Sequence, residues 1–506
     1  MGGFVVAFGS PDRSAVETMF KTIKHRGPHA DGTIEHNQVI MAQNYLRADG
    51  AVSQNGQKYP LSENNGGALR ICYDGQMGNG MELARTNGTD GGPFTEERLL
   101  LDLYKKQGST MPRSLNDAIF SFVISDGKDF LAARDLLGIK TLFYTRRNGT
   151  IYFASELKSI LQLSDEVYEF PAGHTMDTSG KLTPFAELPT SPPEEMHTDV
   201  EKMMVDIRDI ISRSFHNRID FSAPTGSLLS GGIDSSVIAS LASRTYKERF
   251  GKDARLKTFA LGVGESNDIL NARIVAKHLD TDHHEVIIGL DQILEVLPDV
   301  IYYLESFDPS LVRSSVSNYL ISRYAKEQGI EVLLSGEGGD EIFCGYSFLK
   351  ELPMEEIFKN QINCLGYLHN NASLRLDRMN MCNSLRVVAP LISGELLDYA
   401  LSIPPEHKVK SEEDKKVEKW IFRKAFEKDL PESVVWRLKQ EFSQGSGSAD
   451  ILPAYFENVI SDEDFEAERE KYPIVRSKEE LFYFRIFKEH FNASKAAETV
   501  GQWVSL

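Results

Sequence analysis

Hydrophobic and polar positions follow two different rhythms along this chain. Up to about residue 190, short apolar or alternating runs recur at Phe4–Phe8, Gln38–Ala42, Leu69–Tyr73, Ile119–Ser125, Phe130–Arg134, Thr141–Tyr144 and Ile151–Ala154, with Gly, Asn and Asp between them. Period-two runs bounded by turn residues predict strands. Helices are expected near Ala15–Lys24 and Glu96–Gln107, the second opening on Thr95 with acids in its first turn. Together these predict an α+β domain of stacked antiparallel sheets. The proline-rich stretch Leu188-Pro-Thr-Ser-Pro-Pro blocks both helix and sheet bonding and reads as a linker.

Beyond it the rhythm changes. Val200–Asn217 predicts an amphipathic helix, Ser227–Leu229 a short buried strand, and Ser235–Lys247 a helix. A strand at Lys257–Leu261, a helix at Asn271–Leu279 and a strand at Glu331–Leu334 follow. Alternating strands and helices imply a parallel α/β sheet, and beyond about Pro353 the pattern is mainly helical. The expected domains are residues 1–190 and 191–506.

Composition narrows the function. The 506 residues are too many for one core. A net charge of −18 repels phosphate backbones and argues against nucleic acid as a partner. Neither a basic, apolar leader nor an apolar run of about 18 residues is present, so neither secretion nor a membrane span is expected. The four cysteines, Cys72, Cys344, Cys364 and Cys382, form no CxxC pair. A cytoplasmic location fits, and a homodimer is left open. Cys72 is expected in the core.

Chemistry concentrates in two loops. Leu228-Leu-Ser-Gly-Gly-Ile-Asp-Ser-Ser236 leaves a strand and opens a helix. Gly231 and Gly232 let backbone N–H groups approach phosphate, and the helix terminus adds positive potential. Ser230, Ser235 and Ser236 offer hydroxyls. Asp234 would repel bare phosphate, so its presence implies a divalent cation between them. No Lys follows the glycines, so this is not a Walker loop. The second loop, Leu333-Leu-Ser-Gly-Glu-Gly-Gly-Asp-Glu-Ile-Phe-Cys-Gly-Tyr346, also leaves a strand. Asp340 is the candidate second metal carboxylate and Glu337 the candidate base or nucleophile-orienting acid.

The first loop resembles the pyrophosphate loop of ATP pyrophosphatases, and the two together resemble the synthetase domain of class B asparagine synthetases. Glu418–Phe426, Trp436–Ser443 and Val500–Trp503 resemble segments of the same family. His25-Arg-Gly-Pro28, Arg134–Gly138, Phe153–Glu156 and Phe170–Gly173 resemble its glutaminase domain, an Ntn-hydrolase-like fold. The resemblance implies ATP and Mg2+, a carboxylate that attacks the α-phosphorus, and an acyl-adenylate. It places Leu229, Val263, Ser335 and Gly336 at the nucleotide, Lys439 at the α-phosphate, and Arg313, Tyr346 and Arg386 in the acyl-substrate pocket.

The chain also departs from that family. Residue 2, the family's nucleophilic cysteine, is Gly2. The family's Arg falls at Tyr45, its Asn-Gly-Glu segment reads Asp74-Gly75-Gln76, and its later Asp aligns with Glu96. A carboxylate at 74 would repel an oxyanion. These changes lead to the expectation that glutaminase activity is lost. The segment Asn383–Pro390 matches neither asparagine nor β-lactam synthetases, with Arg386 where a Glu is usual and Val388 where an Arg is usual. The expected activity is therefore an amide ligase that joins a carboxylate, aspartate or a relative, to ammonia or an amine without glutamine. The alternative is an intramolecular cyclase of β-lactam synthetase type in antibiotic biosynthesis. The intact loops argue against a non-enzymatic scaffold.

Overall fold

The computed structural model describes residues 1–46, 60–62, 68–89, 94–412, 415–437, 439, 445, 447–492 and 494–503. Of the segment Trp436–Ser443, residues 438 and 440–443 lie outside these. The chain forms two compact units, Met1–Pro189 with Ala493–Thr499, and Thr190–Asn492 with Val500–Leu506. The expected continuous block 191–506 is thus interrupted by a short piece belonging to the first unit.

The first unit holds twelve described strands: β1 (Phe4–Phe8), β2 (Ala30–His36), β3 (Val39–Tyr45), β4 (Leu61–Ser62), β5 (Arg70–Met77), β6 (Ala118–Ser125), β7 (Phe130–Arg134), β8 (Phe143–Arg147), β9 (Thr150–Ala154), β10 (Tyr168–Glu169), β11 (His174–Asp177) and β12 (Leu182–Pro184). They make two six-stranded sheets, ordered β10-β8-β9-β1-β3-β2 and β12-β11-β7-β6-β5-β4, and every described pairing of these named strands is antiparallel. Alternation explains the stacking. Phe4, Val6 and Phe8 from β1 share one core with Cys72, Val123, Phe130 and Ala132 from the other sheet. Ile71, Tyr73, Phe122 and Ile124 point to the opposite face, where Leu99, Leu100 and Leu103 of the helix Glu96–Gln107 cover them. Cys72 is fully buried, as expected.

The second unit is built on a five-stranded sheet: β13 (Thr225–Leu228), β14 (Lys257–Val263), β15 (Asp282–Ile288), β16 (Val332–Leu334) and β17 (Arg386–Val388), ordered β15-β14-β13-β16-β17 and parallel throughout. Beyond it the chain is mostly helical, apart from the hairpin β18 (Val409–Glu412) and β19 (Lys415–Glu418). The chain steps outward from β13 to β14 and β15, then returns to β16 on the other side of β13. Loops leaving β13 and β16 must therefore diverge, and a crevice opens between them; ligands of open α/β sheets bind at such a reversal. No described helix is long and apolar enough to cross a membrane.

Candidate active site

Both glycine-rich loops lie at this reversal and touch. β13 ends at Leu228, and the helix Ile233–Phe250 starts after Gly232. Gly231 has φ +71, and a Cβ there would meet Asn271 at 2.5 Å, so only glycine fits the turn. From the other loop, a Cβ on Gly336 would lie 2.5 Å from the Asp234 carbonyl carbon and the Ser235 nitrogen, and one on Gly339 would lie 2.2 Å from Asp234 Oδ1. The glycines of the second loop thus make room for the first loop's carboxylate.

Between the loops lies a cluster of charge. Lys419 Nζ reaches Asp234 Oδ2 at 2.5 Å and Asp340 Oδ1 at 2.7 Å, so one ammonium bridges both carboxylates. Lys439 Nζ donates to Asp340 Oδ2 at 2.7 Å. Burial alone would raise the Asp340 pKa, but Lys419 and Lys439 hold its carboxyl well below the usual range. Burial likewise works to lower Lys439, and Asp340 and Asp234 overturn it, keeping that ammonium charged well above the ordinary lysine value. Glu418, buried behind the cluster, accepts from the Lys439 backbone N–H at 3.2 Å and pairs with Arg423 at 2.5 Å.

A cavity of about 190 Å³ opens onto this cluster. Its lining includes Phe259, Ala260 and Leu261 of β14, Ser230, Gly232, Asp234 and Ser235 of the first loop, and Glu337, Tyr346, Arg375 and Trp503. Ser230 and Ser235 hold each other in place. Their hydroxyls lie 3.2 Å apart, the Gly232 N–H donates to Ser230 Oγ at 3.4 Å, and the Ser230 N–H donates to Ser235 Oγ at 3.2 Å. Glu337 forms an ion pair with Arg375. Tyr346 donates its hydroxyl to Glu341 Oε1 at 2.6 Å. Burial, then Glu337 and Asp340, raises the Glu341 carboxyl to about 7.

The donor set suits a hard cation shared with a nucleotide. Asp234 Oδ1 is buried and accepts no hydrogen bond. Among the described residues, no group of three or more His, Cys, Asp or Glu side chains could hold a metal alone, so phosphate oxygens would have to complete the shell.

Most sequence-derived site residues converge here: Leu229, Ser230, Gly232, Asp234, Ser235, Ser335, Gly336, Glu337, Asp340, Tyr346 and Lys439 all line the cavity, and Gly231 shapes the turn beside it. Besides Gly231, four do not line it. Ser236 is fully buried, and its hydroxyl makes no hydrogen bond. Val263, at the end of β14, packs beside Gly447. Arg313 is turned about a quarter-turn away from the cavity-lining stripe Ser310, Ser314 and Asn318 of its helix and forms an ion pair with Glu479. Arg386 pairs with Val332 at the entry end of β17, two residues short of the edge where ligands collect. Its charge therefore says nothing about the acyl substrate.

Sequence reasoning overlooked Lys419, Arg375, Arg437 and Trp503. Lys419, Arg437 and Trp503 fall in segments resembling the family, but nothing in their local pattern marks a role. Arg437 reaches the Ser230 carbonyl at 3.4 Å and Asp268 at 3.0 Å, and burial raises the Asp268 pKa in spite of the lowering pull of that arginine.

In the first unit, two of the positions read as lost, Gly2 and Asp74, sit in a buried network. Gly2 is buried, has no side chain to offer, and a Cβ there would lie 2.0 Å from the Asn44 carbonyl oxygen. Its N–H donates to Asp74 Oδ1 at 3.3 Å. Asp74 is not the bare repulsive charge expected: Arg26 meets it at 2.8 Å and Lys140 at 3.4 Å. Arg26 also meets Glu156 at 2.9 Å, which Lys158 joins at 2.5 Å and His25 at 3.1 Å. Burial outweighs Glu156 and lowers the His25 pKa. Tyr45 ends β3 and bridges to Pro28, while Gln76 is buried on β5.

Known proteins place these two units in context. The family model described as asparagine synthase matches residues 206–372 and 359–505, and one described as a glutamine amidotransferase domain matches residues 1–213. A probable glutamine-hydrolysing asparagine synthetase of Schizosaccharomyces pombe is 35% identical, covering 96% of this chain and 91% of that protein. Asparagine synthetase 1 of Saccharomyces cerevisiae, also glutamine-hydrolysing, is 31% identical over 96% of this chain and 92% of its own. The glutamine-hydrolysing asparagine synthetase B of Escherichia coli is 32% identical over 95% and 88%. These findings overturn the expectation of a ligase that dispenses with glutamine, since the relatives named for glutamine hydrolysis span both units and the first matches an amidotransferase domain. The cyclase alternative, with its place in antibiotic biosynthesis, finds no support among them. The chain belongs to the asparagine synthase family and is an ATP-dependent carbon–nitrogen ligase.

Proposed function

We propose that this chain makes asparagine: it adenylates the side-chain carboxylate of aspartate, releases pyrophosphate, and amidates the acyl-adenylate. The observation that carries the reading is the meeting of Asp234 and Asp340 on Lys419 beside the Ser230–Ser235 loop, in a cavity also lined by Glu337 and Arg375. Asp234 and Asp340 would hold magnesium together with pyrophosphate oxygens, and magnesium there would offset the charge of the leaving group. Lys439 and Lys419 present fixed positive charge where negative charge grows as the α-phosphorus is displaced. The apolar strip Phe259–Leu261 suits the adenine ring. Glu337 and Arg375 offer one negative and one positive partner, the pair that an amino acid's ammonium and carboxylate require.

The nitrogen that displaces AMP is tied by the relatives' names to glutamine hydrolysis. In this chain residue 2 provides no attacking side chain. The adenylation step is tested with aspartate labelled with oxygen-18 in its side-chain carboxylate. One labelled oxygen should appear in AMP, because the carboxylate oxygen bonded to phosphorus leaves with it. Label found only in inorganic phosphate would reject the mechanism.

A further inference from the structure

Trp503 forms part of the cavity lining. It shares the lining with Arg375 and with Tyr346, which follows β16, whereas the strip assigned to the base belongs to β14. Its indole packs between Tyr346, with ring centroids 5.4 Å apart, and Tyr367 at 5.1 Å. Aromatic contacts of this kind fix a ring's orientation as well as burying it.

The backbone at this point is clasped. The Trp503 N–H donates to Asp308 Oδ2 at 3.0 Å, and its carbonyl accepts from Arg476 at 3.0 Å. Arg476 closes the loop by donating to the same Asp308 oxygen at 2.9 Å and is itself held by Glu480. Asp308 Oδ1 caps the helix Pro309–Glu327 through the Leu311 N–H at 3.0 Å, and that helix lines the cavity with Ser310, Ser314 and Asn318. One buried carboxylate therefore sets both the cavity-lining helix and the indole. Glycine at 501 permits the approach: a Cβ there would lie 2.6 Å from the Tyr367 hydroxyl.

We infer that Trp503 is the end wall of the acyl-substrate pocket and sets the length of amino acid the enzyme adenylates, with the Asp308–Arg476 clasp fixing its depth. The inference rests on the adenylation reading above. If the carboxylate meets the α-phosphorus near Lys439, the rest of the substrate extends past Glu337 and Arg375 and stops at the indole. Aspartate fits such a pocket, and an acid longer by one methylene collides with the ring.

The test is pyrophosphate release from wild type, Trp503→Ala, Trp503→Phe and Arg476→Met with aspartate and with glutamate. One methylene is worth about 10–200-fold in selectivity. Trp503→Ala should therefore raise the glutamate-to-aspartate ratio of kcat/KM by at least about tenfold. It should also raise the KM for aspartate while the KM for ATP stays within about twofold. Trp503→Phe should fall between, and Arg476→Met should shift selectivity in the same direction. An unchanged ratio, or a KM for ATP that rises in step with that for aspartate, overturns the proposal. Should Trp503→Ala fail to fold, tryptophan fluorescence decides: aspartate should quench the wild type and not Trp503→Phe, and equal quenching in both, or none in either, rejects the wall. A wild type that releases no pyrophosphate with either acid would fail the adenylation reading instead, leaving the fluorescence comparison to judge Trp503.

Discussion

Two buried charge clusters in this molecule use nearly the same parts and come to different ends. In the first unit, Asp74 and Glu156 are met by Arg26, Lys140 and Lys158, with all five side chains at most 4% exposed. In the second, Asp234 and Asp340 are met by Lys419 and Lys439, but Asp234 keeps 13% exposure, Asp340 18% and Lys439 20%, and Asp234 Oδ1 accepts no hydrogen bond. A closed network spends its charges on one another and holds backbone in place. An open one, with the same acids and bases, keeps field and valence for a ligand. What separates them is position. The second cluster stands where the strand order reverses and two loops diverge, whereas the first joins β5 to the segments around Arg26, Lys140 and Glu156 within the first unit.

Substitutions can sharpen this contrast. The largest effect on chemistry is expected at Lys439. Replacing it with Met removes a preorganised cation from the reacting phosphorus and should lower kcat for aspartate-dependent pyrophosphate release by about 10²–10³-fold. Thermal stability should hardly fall, because Asp340 keeps Lys419. A large stability loss with intact kcat would reverse the roles assigned to the two clusters.

The mirror experiment is Arg26→Met. Removing one partner from a buried ion network leaves uncompensated charge and costs about 3 kcal/mol or more. Urea denaturation should show that loss in the first unit. Pyrophosphate release at low temperature should persist.

A subtler difference appears with pH. Glu341 sits behind the open cluster with its carboxyl raised to about 7, chiefly by burial and then by Glu337 and Asp340. In the unfolded chain a glutamate ionises near about 4.3. Between those values the folded protein holds a proton that the unfolded chain has lost, so stability declines as pH rises through that window and levels off above it. Glu341→Gln still accepts from Tyr346 and should abolish the decline, which amounts to at most about 1.4 kcal/mol per pH unit. Denaturation at pH 5 and pH 7.5 compares the two proteins. Parallel pH dependence would show that Glu341 does not titrate there.

The smallest effects are expected at Arg386→Ala and Ser236→Ala, each within about twofold in the KM for aspartate and for ATP, since neither residue lines the cavity.

What could be read from the sequence follows the range of the forces involved. Phe4–Phe8, Phe130–Arg134 and Glu96–Gln107 have the expected bounds because local alternation or a cap determines them. β2 (Ala-Asp-Gly-Thr-Ile-Glu-His) went unnoticed because it is an exposed edge strand of mixed polarity, and β10 to β12 because they are two to four residues long. The phosphate loop was legible because its glycines answer to local geometry. Lys419 was not: its partner Asp234 lies 185 residues away, and no neighbour in sequence hints at the bridge. Arg386 was misplaced because an aligned charge carries no information about which end of a strand it occupies. Glutamine use was misjudged because the reading went position by position at Gly2, Tyr45, Asp74 and Gln76, whereas the relatives share the amidotransferase domain as a whole. Asp74 in particular looked like a repulsive charge only while Arg26 and Lys140 were out of sight.

The central claim is that Asp234 and Asp340 act together on a departing pyrophosphate. Phosphorus NMR of ATP incubated with magnesium and aspartate tests it directly. The wild type should yield AMP and pyrophosphate only when aspartate is present, and Asp340→Asn should yield neither. ADP and phosphate as the products, or an Asp340→Asn protein that matches the wild type, would contradict it.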